Sequence, residues 1–566
     1  MTQNIFFDIG FIIIISTVLA YIAKSLRQPL IPGYVIAGVI LGPLFGFVTN
    51  TDVISSLSEI GIAFLLFIVG LEIDIKKLKD VGLIASLGGA VQIIAVFAAT
   101  FLISIVLGFF NSIQSVYLGL IVTFSSTMVV VKLLSDKREV DTLHGRIIIG
   151  ILLLQDLFAI FALSILSQRS FAASSLILSL AKGLLVIGAS FFLGRYFLPP
   201  MFRFAAKSQE LLFIASIAVA FMFSIIINWI GFSIAVGAFI AGIILNVPYN
   251  IEIIGKIKPL RDFFSVLFFV SLGTQLSLES FRKILAPLLV FIALVLILKP
   301  LIVMFLSSFF GYSKKTSFLT SLSLAQISEF SLIIAAQGLI LGHITHDIFS
   351  LTVLLAVATI IFTTYFINYE DRIYRALEPL LKIFGNITAS HPLEYMPNKM
   401  KDAVVLCGYN RIGYSIIKSL RKIKKKHMVV DFNPEVIKKL IGEKVPCIYG
   451  DVGDIEVLER LHLDDSSMVI STVPDKNDNL LLIQEAKKFN KKVIVFVTAS
   501  QIEEALELYE AGADYVIMPH FLGGEHVSLI LENFSSNLKK LLENKIIHVE
   551  ELKHRHLIGH EHPLHG

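Results

Sequence analysis

Residues 151–160 read ILLLQDLFAI, an apolar stretch interrupted once, by the amide of Gln155 and the carboxylate of Asp156. A run of this length and hydropathy reads as part of a membrane-spanning helix, and an ionisable group inside such a helix costs about 2.5–3.5 kcal/mol on insertion scales. A carboxylate kept there despite that cost is a functional candidate. Beside an amide oxygen it can replace the hydration shell of a monovalent cation, and it can take up a proton when the cation leaves.

The rest of the chain supports this setting. It has 566 residues, 55% hydrophobic and 16% charged. Residues 1–389 hold 25 Lys/Arg and 19 Asp/Glu, whereas residues 390–566 hold 23 and 25. That is a polytopic membrane domain followed by an ordinary soluble one. A soluble enzyme, a secreted disulfide scaffold and a disordered chain are excluded. Two cysteines, Cys407 and Cys447, support neither a disulfide framework nor a cysteine metal site. The net charge of +4 gives no reason to expect a nucleic-acid partner.

About thirteen apolar runs of spanning length are expected, centred near residues 14, 39, 63, 95, 125, 156, 186, 219, 239, 269, 297, 328 and 358. The first, NIFFDIGFIIIISTVLAYIAK (residues 4–24), lacks a basic leading region and a small-residue cleavage site, so it reads as a helix rather than a signal peptide. Loops after odd-numbered spans hold 17 basic residues and loops after even-numbered spans hold three, Arg169, Arg282 and Lys283. Positive loops stay on the cytoplasmic side. The N-terminus is therefore expected outside and the soluble tail in the cytoplasm.

Few other ionisable groups fall inside spans: Glu59, Lys299 and Glu329, with Lys182 placed to snorkel outward. Two spans carry polar clusters where a continuous helix would not favour them. TFSSTMVV (123–130) sets Ser125, Ser126 and Thr127 at mid-depth, and SLAQISEFSL (323–332) sets Gln326, Ser328, Glu329 and Ser331 there. Ser and Thr also serve as helix–helix glue, so either cluster alone is weak. Paired at corresponding positions of two inverted six-helix repeats around span 7, they point to discontinuous helices and a midplane site.

The front of the chain resembles the Kef-type members of the monovalent cation:proton antiporter-2 family. The resemblance rests on RQPLIPGYVIAGVILGP (27–43), SEIGIAFLLFIVGLEID (58–74), FSSTMVVVKLL (124–134), GILLLQDLFAI (150–160), FFSVLFFVSLGTQL (263–276) and SLAQISEFSLIIAAQG (323–338), in family order. It implies an all-α polytopic fold of about thirteen helices with inverted repeats, a dimerisation domain and a core domain, and two unwound helices crossing near the ion-binding carboxylate. Carried over, Asp156 is the cation and proton carrier and Gln155 its neighbour. Ser125, Ser126, Thr127, Gln326 and Glu329 lie at or beside the crossing, and Lys299 is the basic residue facing it. Several relatives carry two adjacent acids where this chain has Gln155 and Asp156. The implied partners are K⁺ or Na⁺, H⁺, membrane lipid and a second copy in a homodimer, with room for an ancillary regulatory subunit. No cofactor is expected for transport.

Residues 1–378 are read as the membrane domain, 379–400 as a linker, 401–520 as an α/β Rossmann-like domain and 521–566 as a C-terminal extension. In DAVVLCGYNRIGYSIIKSLRK (402–422) a buried strand turns through Gly408–Gly413 into a helix, and a second strand ends at Asp431. Strand, glycine turn, helix and acid in this order form a nucleotide-binding unit: phosphate at the helix N-terminus, the acid on a ribose diol. Candidate contacts are Gly408, Asn410, Arg411, Gly413, Asp431, Asp451 and Thr472. Asn410 occupies the middle glycine position, where a side chain limits the approach of a pyrophosphate. The unit resembles the N-terminal half of RCK (TrkA-N) domains, which implies a regulatory nucleotide such as NAD(H), AMP or ATP. The tail KHRHLIGHEHPLHG (553–566), with five histidines, reads as a disordered end rather than a metal site.

The expected activity is antiport of a monovalent cation, K⁺ ahead of Na⁺, against H⁺, without enzymatic catalysis. A nucleotide-gated K⁺ channel is disfavoured because no carbonyl-filter run such as TVGYG occurs. A membrane-anchored dehydrogenase is rejected because no catalytic partners accompany the Rossmann half.

Overall fold

The computed structural model describes residues 5–48, 51–72, 87–137, 139, 142–166, 188, 190, 192–245, 250–277, 281–312, 314–385, 394–396, 402–410, 412–453, 455–461, 463–534, 549–550 and 553. The chain divides into two compact units, Met1–Thr388 and Ala389–Gly566.

The first unit is helical. Its elements are α1 (Ile5–Ser25), α2 (Leu30–Val39), α3 (Thr51–Glu72), α4 (Gly89–Val106), α5 (Ser112–Thr123), α6 (Thr127–Lys137), α7 (Leu143–Leu166), α8 (Leu198–Ala205), α9 (Gln209–Ile230) and α10 (Ile234–Ile244). There follow α11 (Asn250–Thr274), α12 (Phe281–Ala293), α13 (Lys299–Phe309), α14 (Lys314–Ser323), α15 (Glu329–Ile340), α16 (His346–Asn368) and α17 (Glu370–Gly385). Seven helices are long and apolar enough to cross a membrane, and four shorter apolar ones accompany them among the described residues. Of the expected span centres, the one near 186 lies outside the described residues, as does Lys182. Helix α17 runs past residue 378, and its Pro379 lies inside it.

Helix packing pairs the two halves of the unit reciprocally. A Cβ built on Gly38 in α2 would lie 2.1 Å from the Val270 carbonyl in α11, and one on Gly273 would lie 2.2 Å from the Val35 carbonyl. The same reciprocal pairing joins Gly70 in α3 to Phe239 at 2.4 Å, and Gly242 in α10 to Phe67 at 2.2 Å. Only glycine lets two helix backbones approach this closely. Span 2 on span 10 and span 9 on span 3 are the pairs that exchanging two six-helix halves would interconvert.

Spans 5 and 12 are both broken at mid-length. Helix α5 starts with a capping box between Asn111 and Gln114 and stops at Phe124, whose backbone turns extended (φ −83°, ψ 145°). Span 12 breaks between Ser323 and Glu329, and Ser328 (φ −94°, ψ 162°) caps α15 while the Ser331 hydroxyl accepts from the Ser328 N–H at 3.2 Å. Neither break holds Gly or Pro. Their hydroxyls supply the local alternatives to helical hydrogen bonds. Span 11 also changes pitch: a π-turn at Leu294–Leu298 separates α12 from α13, where Pro300 lacks an N–H to donate.

At the end of α6, Lys137 is bonded by Glu370 and by Glu139 at 2.9 Å, and donates to the Ile367 carbonyl at 3.3 Å. His144, at the start of α7, lies 3.4 Å from Glu139. This half-buried cluster ties α6 and α7 to α16 and α17.

The second unit contains β1 (Glu394–Tyr395), β2 (Ala403–Cys407), α18 (Ile412–Lys422), β3 (His427–Asp431), α19 (Pro434–Gly442), β4 (Cys447–Tyr449), α20 (Ile455–Arg460) and β5 (Ser466–Ser471). It continues with α21 (Lys476–Phe489), β6 (Ile494–Thr498), α22 (Ile502–Glu510), β7 (Tyr515–Ile517) and α23 (Pro519–Phe534). The sheet order is β1-β4-β3-β2-β5-β6-β7, parallel except for the antiparallel edge strand β1, which falls within the stretch read as a linker. From β4 to β7 this is the doubly wound nucleotide-binding order, with its switch point between β2 and β5. The apolar core lies on both faces of the sheet, as alternating β–α connections require. The histidine-rich tail lies outside the described residues apart from Lys553.

Candidate functional site

The two breaks meet. The Ser125 hydroxyl donates to the Leu324 carbonyl at 2.9 Å, and the Gln326 amide donates to the Ser126 carbonyl at 3.4 Å. Ser331, in α15, donates to the Ile121 carbonyl at 2.6 Å. Each break is also held by the span that follows it. The Ser125 N–H donates to Gln155 Oε1 of α7 at 2.8 Å, and the Ile327 N–H donates to Thr359 Oγ1 of α16 at 3.4 Å. Thr363 adds a bond to the Ala325 carbonyl. The two halves use the same device with different chemistry: α7 brings Gln155 and Asp156, α16 brings threonines.

Charges oppose the exposed helix ends. Lys299, fully buried, donates from Nζ to the carbonyls of Val122 at 3.0 Å, Phe124 at 3.3 Å and Gln326 at 2.8 Å. These carbonyls lose their helical partners at the breaks, and a cation at helix C-terminal carbonyls is favourable. The carboxylates sit at the opposite poles. Asp156, 2% exposed, accepts from Thr127 Oγ1 at 2.8 Å, and Thr127 opens α6. Glu329 opens α15 and accepts from the Ser126 hydroxyl at 2.5 Å. Consecutive residues of one break, Ser126 and Thr127, therefore bind two acids on different helices.

The eight membrane residues singled out in the sequence are thus brought together: Gln155, Asp156, Ser125, Ser126, Thr127, Gln326, Glu329 and Lys299. Glu59 is not among them; its side chain is exposed on α3. Sequence reasoning missed Gln92 of α4, buried, whose Oε1 accepts from Gln155 Nε2 at 2.8 Å. A lone amide in the apolar run GAVQIIAVF was the available signal.

In the second unit, Gly408 and Thr472 straddle the switch point at the ends of β2 and β5. Gly408 has φ +88°, and the Thr472 hydroxyl donates to the Gly408 carbonyl at 3.1 Å and to Cys407 at 3.2 Å. A Cβ on Gly413 would lie 2.0 Å from the Gly408 carbonyl, so the turn and the start of α18 interlock. Asp431 is buried, and its oxygens accept from the Tyr409 N–H and the Asn433 N–H, each at 2.7 Å. Asn410 is exposed at the helix start, and Asp451 accepts from the Gly453 N–H at 3.0 Å. Arg411 lies outside the described residues. Burial, reinforced by the Asp431 charge, pushes the Cys407 thiol up to about 12, so it is inert at neutral pH. A cavity of about 340 Å³ opens at the ends of β6 and β7, lined by Ala499, Gln501, Met518 and Phe521, one strand away from the switch point.

This arrangement, two crossed broken helices around buried carboxylates in a chain that also carries a Rossmann-type unit, is that of a multi-pass cation exchanger. The family profile of the sodium/hydrogen exchanger transmembrane domain matches residues 12–368, and that of the TrkA-N domain matches residues 404–519. The chain belongs to the sodium/hydrogen exchanger family, with the Kef-type order of domains. It is 28% identical over 524 residues to the putative cation/proton antiporter YbaL of Escherichia coli, covering 89% of this chain and 93% of that protein. It is 31% identical over 329 residues to K(+) efflux antiporter 4 of Arabidopsis thaliana, covering 55% of this chain and 54% of the plant protein, so the chain spans about half the length of that relative. The sodium proton antiporter MjNhaP1 of Methanocaldococcus jannaschii superposes with a TM-score of 0.50 at 16% identity, over 68% of this chain and 98% of that one, which establishes the shared fold.

Proposed function

We propose that the protein exchanges K⁺ for H⁺ across the membrane, with Asp156 alternating between a cation-bound carboxylate and a protonated acid. The observation that carries this reading is the Thr127–Asp156 contact, a buried carboxylate held at the positive end of a half-helix in the crossing. Ser125, Ser126 and Gln326 supply hydroxyls and carbonyls around it, Glu329 balances the second half-helix, and Lys299 fixes the geometry of both breaks. The choice of K⁺ rests on relatives named as K(+) efflux antiporters. The reading includes a homodimer, room for an ancillary regulatory subunit, the N-terminus outside and the second unit in the cytoplasm, the last two from the 17-to-3 bias of loop charge.

The second unit is read as a regulatory nucleotide site. The glycine turn and the start of α18 fit a phosphate at Asn410 and Gly413, with Thr472 at the switch point. Both Asp431 oxygens already hold backbone N–H groups, so its first task is to shape the turn; Asp451, on the neighbouring strand end, is the second acid on that edge. When bound, NAD(H), AMP or ATP would supply a charge and a bridge across the switch point.

The test is cation flux by the full chain in proteoliposomes under an imposed pH gradient, with K⁺ and Na⁺ compared, each with and without millimolar nucleotide. Exchange of K⁺ in preference to Na⁺, altered by nucleotide, supports the reading. Flux of Na⁺ alone rejects the choice of ion, and pH-independent cation leak rejects antiport.

A further inference from the structure

We infer that Gln92 is a positioning residue of the ion site, acting through Gln155 to hold the break in span 5 at a fixed distance from Asp156. The inference rests on the antiport reading above. Its geometry is a chain of three groups: Ser125 N–H to Gln155 Oε1 at 2.8 Å, then Gln155 Nε2 to Gln92 Oε1 at 2.8 Å. All three residues are buried, Gln92 being 2% exposed.

The polarity of this chain is fixed by chemistry. A backbone N–H only donates, so Gln155 must turn its oxygen to Ser125 and its nitrogen to Gln92. Gln92 must then present an oxygen. Reversing either amide would set two acceptors or two donors against each other in a buried space, and each orphaned group there is costly. Gln92 Nε2 has no hydrogen-bond partner among the described residues, so the residue contributes only its oxygen. Gln92, with Gly88, Ile151, Val303, Leu306 and Ser307, also lines a small cavity of about 10 Å³ between α4, α7 and α13. Its oxygen is therefore the one feature a substitution must keep.

The consequence for transport follows from the neighbouring contact. Helix α7 grips the break twice: Gln155 holds the Ser125 backbone, and Asp156 accepts from Thr127. The Asp156 contact must rearrange each time a proton and a cation exchange places. The Gln155 contact has no such duty. Held by Gln92, it keeps the break in place while its neighbour changes partner, so the oxygens offered to the cation stay in register. A chain of neutral amides suits this task, because it holds geometry without adding a second titrating group.

The test compares Gln92→Leu, which removes the oxygen, with the same substitution made in a Gln155→Leu background, where no amide is left for Gln92 to hold. In the full chain, hydrogen–deuterium exchange of the segment spanning residues 120–130 is read alongside the cation KM for flux. Gln92→Leu is expected to speed amide exchange in that segment, leave α9 and α16 unchanged, and raise the cation KM about tenfold, the size of one lost buried hydrogen bond. In the Gln155→Leu background, adding Gln92→Leu is expected to speed amide exchange and raise the KM no further. Equal exchange in wild type and Gln92→Leu, or a further acceleration and KM rise when Gln92→Leu is added to Gln155→Leu, overturns the inference. If wild type moves no cation, the antiport reading fails, and the exchange measurement still decides whether Gln92 holds the break.

Discussion

The Thr127 hydroxyl donates to Asp156 Oδ2 at 2.8 Å, and Thr127 is the first residue of the half-helix α6. One carboxylate is thereby coupled to the unsatisfied N–H groups and the dipole of a helix that begins in mid-membrane.

Replacing Asp156 by Asn keeps the shape and an oxygen for Thr127, but an amide cannot alternate between charged and neutral forms. Exchange is expected to fall to the level of empty liposomes, with folding retained by size-exclusion profile. Thr127→Val should instead leave exchange measurable, with a cation KM raised roughly tenfold by the loss of one charge-assisted bond. Substantial pH-driven flux through Asp156→Asn would reject Asp156 as the carrier.

Lys299 directs all three of its donor contacts to backbone carbonyls of the two breaks. Its replacement by Met leaves three buried acceptors without a donor, at about 1–3 kcal/mol each. The detergent-purified variant should melt several degrees lower than wild type. Lys299 is thus built into the scaffold, and Asp156 alone in the Gln155–Asp156 pair can change charge. One cation against one proton moves no net charge. Exchange should therefore be indifferent to a membrane potential imposed with a thiocyanate gradient; a rate that scales with that potential would reject one-for-one exchange.

In the second unit, Asp431→Ala orphans the Tyr409 and Asn433 N–H groups, and Gly413→Ala drives a methyl into the Gly408 carbonyl. Both should destabilise the unit by about 1–3 kcal/mol, read as a lower urea midpoint for residues 389–566. Asn410→Gly removes only an exposed side chain at the helix start. It should leave the midpoint nearly unchanged and tighten nucleotide binding measured by titration calorimetry, because the backbone becomes accessible to a pyrophosphate.

These results mark what the sequence could convey. The breaks were readable because two polar clusters fall at corresponding mid-span positions of the two halves, although either alone would pass for helix–helix glue, and Asp156 because an acid there is expensive. The Rossmann order was readable from Gly408, Gly413 and Asp431 in register with strands. Gln92 was not, since a single amide in α4 resembles ordinary helix–helix glue until the fold brings Gln155 beside it from 63 positions away. The threonines that hold the second break were hidden for the same reason. Lys299 was placed at the crossing, but its partners are backbone carbonyls, which no residue code displays. Asp431 was legible as the acid ending β3, but the Tyr409 and Asn433 N–H groups it holds were not, since no residue code displays backbone donors.

The cluster of Lys137, Glu139, His144 and Glu370 yields a pH prediction with a definite sign. Burial alone would raise the Glu139 carboxyl, but hydrogen bonds and charge from His144 and Lys137 outweigh it and hold the group below its ordinary 4.5. A carboxyl whose folded value is depressed contributes stability above its unfolded value and loses it as pH falls through the folded value. The contribution is therefore complete above 4.5 and lost on acidification below it. Glu139→Gln lacks this contribution at every pH, so its melting temperature should lie below wild type at pH 7 and converge toward it below pH 4.5. Lys137→Met goes further, leaving the Glu370 carboxylate without this cation and Glu139 with His144 alone, so it should lower the melting temperature more than Glu139→Gln does. Because Lys137 ends the half-helix that starts at Thr127, and Glu370 begins the helix after the last span, the same variant should also slow exchange at neutral pH. Wild-type flux with a lowered melting temperature would confine the cluster to stability.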